Sequence, residues 1–176
     1  MWSRLKFWLL AVTLRGAAAA SAGRAEIKVG DVFPALKTPG VINLAGGEVP
    51  SIAGQVDLVD FWATWCAPCK ASFPAMGRLQ NEFGARGFAV VAISVDEKAP
   101  AAVAFWKRLA PPIATLHDSQ RRLVEQVVVP AMPTSYLLGR DGRVRSVHQG
   151  FRGEATEREL REKVQALLAE KPSSNP

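Results

Sequence analysis

The sequence predicts an α/β fold, a mixed central sheet with helices on both faces and a β-hairpin at its N-terminal side. Three observations carry this expectation. Two predominantly apolar runs, residues 56–63 and 88–95, read as buried strands and are separated by a segment of helical character. Asp141-Gly142 is a tight-turn pair between two later strand-like segments, which makes those segments an antiparallel pair. The last long segment is amphipathic, with Leu160, Val164, Leu167 and Leu168 on one helical face. Two buried strands joined by a helix pair in parallel through a crossover, and the late hairpin adds antiparallel strands to the same sheet.

The elements follow in order. Residues 1–22 read as an export signal or signal anchor. Arg4 and Lys6 precede the short apolar run Phe7-Trp8-Leu9-Leu10-Ala11-Val12-Thr13-Leu14, and Ala20-Ser21-Ala22 fits a small-residue cleavage site. The apolar run is shorter than the roughly 18–20 residues of a spanning helix. Residues 23–40 form a polar, turn-rich lead-in with Pro34 and Pro39-Gly40, and residues 41–171 form the folded domain. Val41-Ile42-Asn43-Leu44 and Glu48-Val49-Pro50-Ser51-Ile52 flank Gly46-Gly47, a hairpin signal. A helix is expected from Cys66 to about Phe83, with Pro68 tolerated in its first turn and Pro74 inside it. Further helices are expected over residues 99–110, 120–127 and 154–170, and strands over 113–116, 134–138 and 143–148. Residues 172–176 are a frayed tail.

The chain has 176 residues, 48% of them hydrophobic and 22% charged, which suits one globular domain with a core of its own. The formal charge is +6, but Arg4, Lys6 and Arg15 fall in the signal-like segment, so a matured chain is only mildly basic. With no Lys/Arg run longer than two, there is no nucleic-acid footprint.

The chemistry concentrates at Trp65-Cys66-Ala67-Pro68-Cys69, which holds the only two cysteines of the chain. A Cys-x-x-Cys pair that opens a helix after a buried strand is the sequence form of a redox dithiol. At the helix start, unpaired N–H groups and the helix dipole favour a thiolate on Cys66. Cys69 lies one turn on, close enough to close a disulfide ring and more buried. Cys66 therefore attacks first and Cys69 resolves the mixed disulfide. Lys70 adds a nearby positive charge or is simply a solvated helix residue.

Asp60 interrupts the apolar strand six residues before Cys66, on one face with Leu58 and Trp62. A carboxylate buried there carries a raised pKa and suits proton exchange with Cys69 through water. The alternative is an exposed sheet end, as for Asp57. Met132-Pro133-Thr134 places a proline just before a strand, and the sequence by itself does not make that bond cis. His117 and His148 have no zinc-ligand spacing relative to the cysteines, and no cofactor or metal is called for.

The run Leu58-Val59-Asp60-Phe61-Trp62-Ala63-Thr64-Trp65-Cys66-Ala67-Pro68-Cys69-Lys70 resembles the active-site strand and helix of the thioredoxin superfamily. Its overall pattern is similar to the exported TlpA/ResA-like thiol-disulfide oxidoreductases. Val95-Asp96-Glu97, Pro133-Thr134, Tyr136-Leu137-Leu138 and Asp141-Gly142 extend the likeness over about residues 30–170. The resemblance implies a thioredoxin-like fold, with Cys66 and Cys69 as the catalytic disulfide and Asp60 as the buried acid. It makes Pro133 a cis-proline beside the disulfide and Met132 a backbone partner for the substrate chain. Trp65, Pro68 and the Met132-Pro133 loop then form the substrate-binding rim. The implied partners are protein disulfides and a membrane thiol donor, and the implied location is periplasmic, anchored to the membrane only if the signal is uncleaved. Ser72 stands where ResA-like proteins usually carry a glutamate, which weighs against a narrow role in cytochrome c biogenesis within general redox homeostasis.

An exported reductase is the leading expectation, with a periplasmic oxidase or isomerase as the alternative and a copper-delivery protein as a more distant one. Copper chaperones on related folds use Cys-x-x-x-Cys plus histidine, one residue wider than the spacing here. Peroxiredoxins place Pro and Thr where this chain has Val59 and Ala63. A static structural disulfide in a binding module fits poorly with so short a loop at a helix start.

Overall fold

The computed structural model describes residues 26–109 and 111–170. The signal-like segment and the tail at 172–176 lie outside them. The strands are β1 (Val41–Asn43), β2 (Val56–Trp62), β3 (Phe88–Ser94), β4 (Ala114–Asp118), β5 (Thr134–Leu138) and β6 (Val144–Gln149). The helices are α1 (Ala67–Phe83), α2 (Ala99–Leu109), α3 (Arg122–Val127) and α4 (Glu154–Ala169). The strands form one sheet in the order β1-β4-β3-β2-β5-β6. β2, β3 and β4 run parallel, while β1, β5 and β6 pair antiparallel with their neighbours. This is the mixed sheet expected from the apolar runs and the late turn.

β2 alternates strictly between two cores. Val56, Leu58 and Trp62 join the cluster under α1, α2 and α4, while Val59 and Phe61 join the cluster on the opposite face with α3. Burial on both faces explains why the strand reads as a continuous apolar run. The lead-in packs on the second face. Phe33 and Leu36 are buried there, and backbone bonds from Gly30 N–H to the Val144 carbonyl and from Val144 N–H to the Asp31 carbonyl tie it to β6.

The expected N-terminal hairpin does not form. The turn exists, with Gly46 and Gly47 both at positive φ, but residues 48–52 are not a strand. β1 pairs instead with β4, Val41 opposite Asp118 and Asn43 opposite Leu116. Pro50 has no N–H to give to a ladder, and the Asn43 side-chain amide donates to the Glu48 carbonyl at 2.9 Å in place of a strand bond. Ile52 is buried in the second core, with Val49 packed against it. β4 also reaches two residues further than expected, because His117 and Asp118 pair with Ile42 and Val41 of β1. α3 starts later, at Arg122, because Arg121 is left-handed and the Asp118 carboxylate accepts the Val124 N–H at 2.8 Å.

Candidate active site

The site stands where β2 runs into α1. Cys66 is the N-cap residue of α1, with extended backbone, and its sulfur accepts the Cys69 N–H at 3.2 Å. Cys66 and Cys69 form a disulfide with Cα atoms 5.3 Å apart. Cys66 keeps 5% of its surface exposed and Cys69 none, so an incoming group meets Cys66 first. The first turn of α1 contains no acidic residue, which leaves its N–H groups to favour negative charge on Cys66.

Around the pair, Trp65 is 68% exposed, an unusual state for a large apolar ring. Pro68 is exposed and Met132 half-buried. The Met132–Pro133 peptide bond is cis, as the resemblance implies. Phe61 is in register with Thr134, so the Met132–Pro133 loop leaves β5 at the same sheet end at which β2 delivers Cys66. Met132 packs against the cluster that contains both cysteines. Trp62 floors the site with its ring centroid 5.2 Å from Phe73 and 5.4 Å from both Phe105 and Trp106. Lys70 is exposed, with Nζ 6.0 Å from the Phe105 ring centroid.

Asp60 is fully buried. Its Oδ1 accepts the Ser135 hydroxyl at 2.6 Å, and its Oδ2 has no hydrogen-bond partner among the described residues. Burial pushes its pKa up to about 7, offset in part by the Ser135 hydrogen bond. Between Leu58 and Trp62 on the strand, it faces the α1 side that carries Cys69. The exposed-end alternative fails for both acids of β2. Asp57 is equally buried, and desolvation raises its pKa to about 6 against a hydrogen bond from Gln55.

One group at the site escaped sequence reasoning. Asp96, just past β3, accepts the Thr64 N–H at 3.1 Å and the Thr64 hydroxyl at 2.7 Å, and takes the Ser94 hydroxyl at 2.8 Å. His117 Nε2 meets the Asp96 carbonyl at 2.7 Å. This cluster clamps the Ala63-Thr64-Trp65 turn that presents Cys66. The sequence marked Asp96 only as part of Val95-Asp96-Glu97 in the family resemblance, with no sign of this role. Ser72, in the position of the family glutamate, is buried and turns its hydroxyl back to the Cys69 carbonyl at 2.8 Å. The two histidines are far apart in the sheet, His117 inside β4 and His148 on the edge strand β6.

The sheet order, the disulfide at the N-terminus of α1 and the cis-proline loop define a thioredoxin-like protein of the TlpA/ResA-like thiol-disulfide oxidoreductase type. The chain belongs to the Redoxin family, whose model it matches over residues 28–164. The thiol-disulfide oxidoreductase ResA of Bacillus subtilis is 31% identical over 103 residues, which span 58% of this chain and 58% of that relative. Thioredoxin-like protein YneN of the same organism is 33% identical over 131 residues, 70% of this chain and 73% of the relative. A crystal structure of a chain from Chlorobium tepidum, assigned as a thiol:disulfide interchange protein DsbE, superposes with a TM-score of 0.72. It is 34% identical, and the match covers 82% of this chain and 100% of that one.

Proposed function

We propose that this chain is an exported thiol-disulfide oxidoreductase that reduces protein disulfides in the periplasm, with electrons from a membrane thiol donor. The observation that carries the reading is the asymmetric pair, Cys66 at the surface on the helix N-terminus and Cys69 fully buried on the side of the sheet that Asp60 faces. The basic, then apolar, then small-residue order of residues 1–22 supports export, and an exported location suits a disulfide.

The reductive half-cycle balances as follows. The Cys66 thiolate attacks one sulfur of a substrate disulfide, forming a mixed disulfide and releasing the other substrate sulfur as thiolate. Cys69 gives its proton to the Asp60 carboxylate and attacks the Cys66 sulfur. The Cys66–Cys69 disulfide forms, the second substrate thiolate leaves, and the Asp60 proton passes to solvent. Two electrons move from the dithiol to the substrate, and the thiol donor restores them. Trp65, Pro68, Met132 and Pro133 form the apolar rim on which the substrate chain is held, with the Met132 backbone adding a strand-like contact.

Trapping tests this directly. Cys69→Ser, expressed with its own N-terminal segment, should accumulate mixed disulfides between Cys66 and periplasmic clients, and Cys66→Ser should accumulate none. A reduction potential near about −120 mV, in the range of strong oxidants, would overturn the reducing direction. Recovery of the trapped protein from the cytosol alone would overturn the location.

A further inference from the structure

At one level of the sheet, the residues in register are Ala92 on β3, Asp60 on β2, Ser135 on β5 and His148 on β6. Residues opposite one another in register share a face. A line of polar side chains therefore runs from Asp60 to the outer edge strand. We propose that Ser135 and His148 are positioning residues for Asp60, and that this three-strand row tunes the buried acid from the solvent side of the sheet. The inference rests on the reading of Asp60 as the proton partner of Cys69.

Ser135 and His148 are joined by register, and the two ends of the row each have their own geometry. The Ser135 hydroxyl donates to Asp60 Oδ1 at 2.6 Å. That bond fixes the carboxyl plane and leaves Oδ2, buried and unpaired among the described residues, as the oxygen that carries the proton. A hydrogen bond donated to a carboxylate favours its ionised form. At the other end, His148 is only 9% exposed. Lys163 Nζ donates to Ser146 Oγ and to Glu159 Oε1, both at 2.8 Å, and Ser146 Oγ lies 2.9 Å from His148 Nε2. Lys163 Nζ also lies 3.5 Å from His148 Nε2, and since an ammonium can only donate, Nε2 beside it is placed to accept. The imidazole then carries its proton on Nδ1, 3.8 Å from Glu159 Oε1. Lys163 and Glu159 side chains are 39% and 41% exposed, so the row ends in water.

Facing Asp60 are Ser135 from β5 and the cysteine pair from α1, with only Ala92 in register on β3. Facing His148 are Glu159 and Lys163 from α4 and Arg152 from the turn before it. Burial and Lys163 hold the imidazole neutral to lower pH than usual, against the pull of Glu159. When acid protonates it, the new charge stands two strand spacings, about 10 Å, from Asp60. At an interior dielectric of about 20, that charge lowers the Asp60 midpoint by about one pH unit. An ionised Asp60 raises His148 by the same amount, so the two titrate as a coupled pair.

The test is a carbon-13 NMR titration of the aspartate carboxyls in the reduced full chain, for the wild type, S135A, S135T and H148Q. The S135A variant should raise the Asp60 midpoint by about one pH unit, and S135T, which keeps the hydroxyl, should return it. The wild-type Asp60 curve should be broadened on its acid side, where His148 gains charge, and H148Q should return it to a one-proton shape. An unchanged midpoint in S135A overturns the role of Ser135, and an unchanged curve shape in H148Q overturns that of His148. A disulfide-reduction assay on the wild type separates the two readings. A chain that reduces no disulfide defeats the proposed function while its Asp60 titration still decides the row.

Discussion

Asp60 lies within β2 with one oxygen held by Ser135 and the other bare, so near neutrality it sits between its charged and neutral forms. The sign of its effect on stability follows. Its folded pKa, about 7, lies above the ordinary 3.8. The unfolded chain therefore releases this proton first, and stability falls as pH rises from about 4 to about 7. Asp60→Asn should remove that fall and stabilise the fold at pH 8 by on the order of 2–4 kcal/mol, measured by urea unfolding at pH 5 and pH 8. The same variant should slow the Cys69 step at least about tenfold at pH 7 in single-turnover reduction of a model disulfide. Equal stability gains at both pH values would show that Asp60 is already neutral throughout. Asp96 acts differently, as a clamp. Asp96→Ala strips the Thr64 N–H, the Thr64 hydroxyl and the Ser94 hydroxyl of their acceptor, and should cost roughly 1–3 kcal/mol in denaturant unfolding. Asp60 was legible because an acid inside an apolar strand stands out. Asp96 was not, because its partner Thr64 lies 32 positions away in the chain.

At the scale of elements, the segment that delivers the cis-proline begins with a misfit. Val128 ends α3 in the left-handed region, at φ 55° and ψ 60°, with its N–H on the Val124 carbonyl. A β-branched residue is strained there, and glycine is not. Val128→Gly should therefore stabilise the protein by about 1 kcal/mol, read as a rise in Tm, where the same change inside a regular helix would destabilise. A fall in Tm would mean that the partly buried Val128 side chain contributes more than its backbone costs. The strands and helices around this segment were visible as apolar runs and amphipathic periods. The failure of the hairpin arm at 48–52 was not, because the competitor for β1 is β4, some 70 residues downstream.

Across the whole molecule, α4 is joined to α1 by charge as well as by packing. Glu157 accepts Arg78 Nε at 3.0 Å and Arg161 Nη2 at 2.9 Å, while Arg161 Nε donates to Glu82 at 2.9 Å. The Arg78 hydrogen bonds hold Glu157 down at about 2. Its contribution is present above its ordinary value near 4.5 and is lost as pH falls toward 2, the opposite sign to Asp57 and Asp60. The two tendencies together place the stability maximum at about pH 4–5. Thermal unfolding across pH 2–9 should trace that dome, and Glu157→Gln should flatten its acid limb without moving the alkaline one. A maximum at pH 8 would mean that the β2 acids are ionised in the folded state.

The order of residues alone determined the fold class, the place of the redox pair and the acid on its strand, because burial on both faces and a helix start leave local marks in composition and spacing. The tertiary structure decided which oxygen of Asp60 is free, which loop Asp96 holds, that β1 joins β4, and that Ser135 and His148 continue the line from Asp60. Each of these depends on a partner or a register that forms only in the folded sheet, and neither leaves a trace in local sequence until the neighbours are side by side.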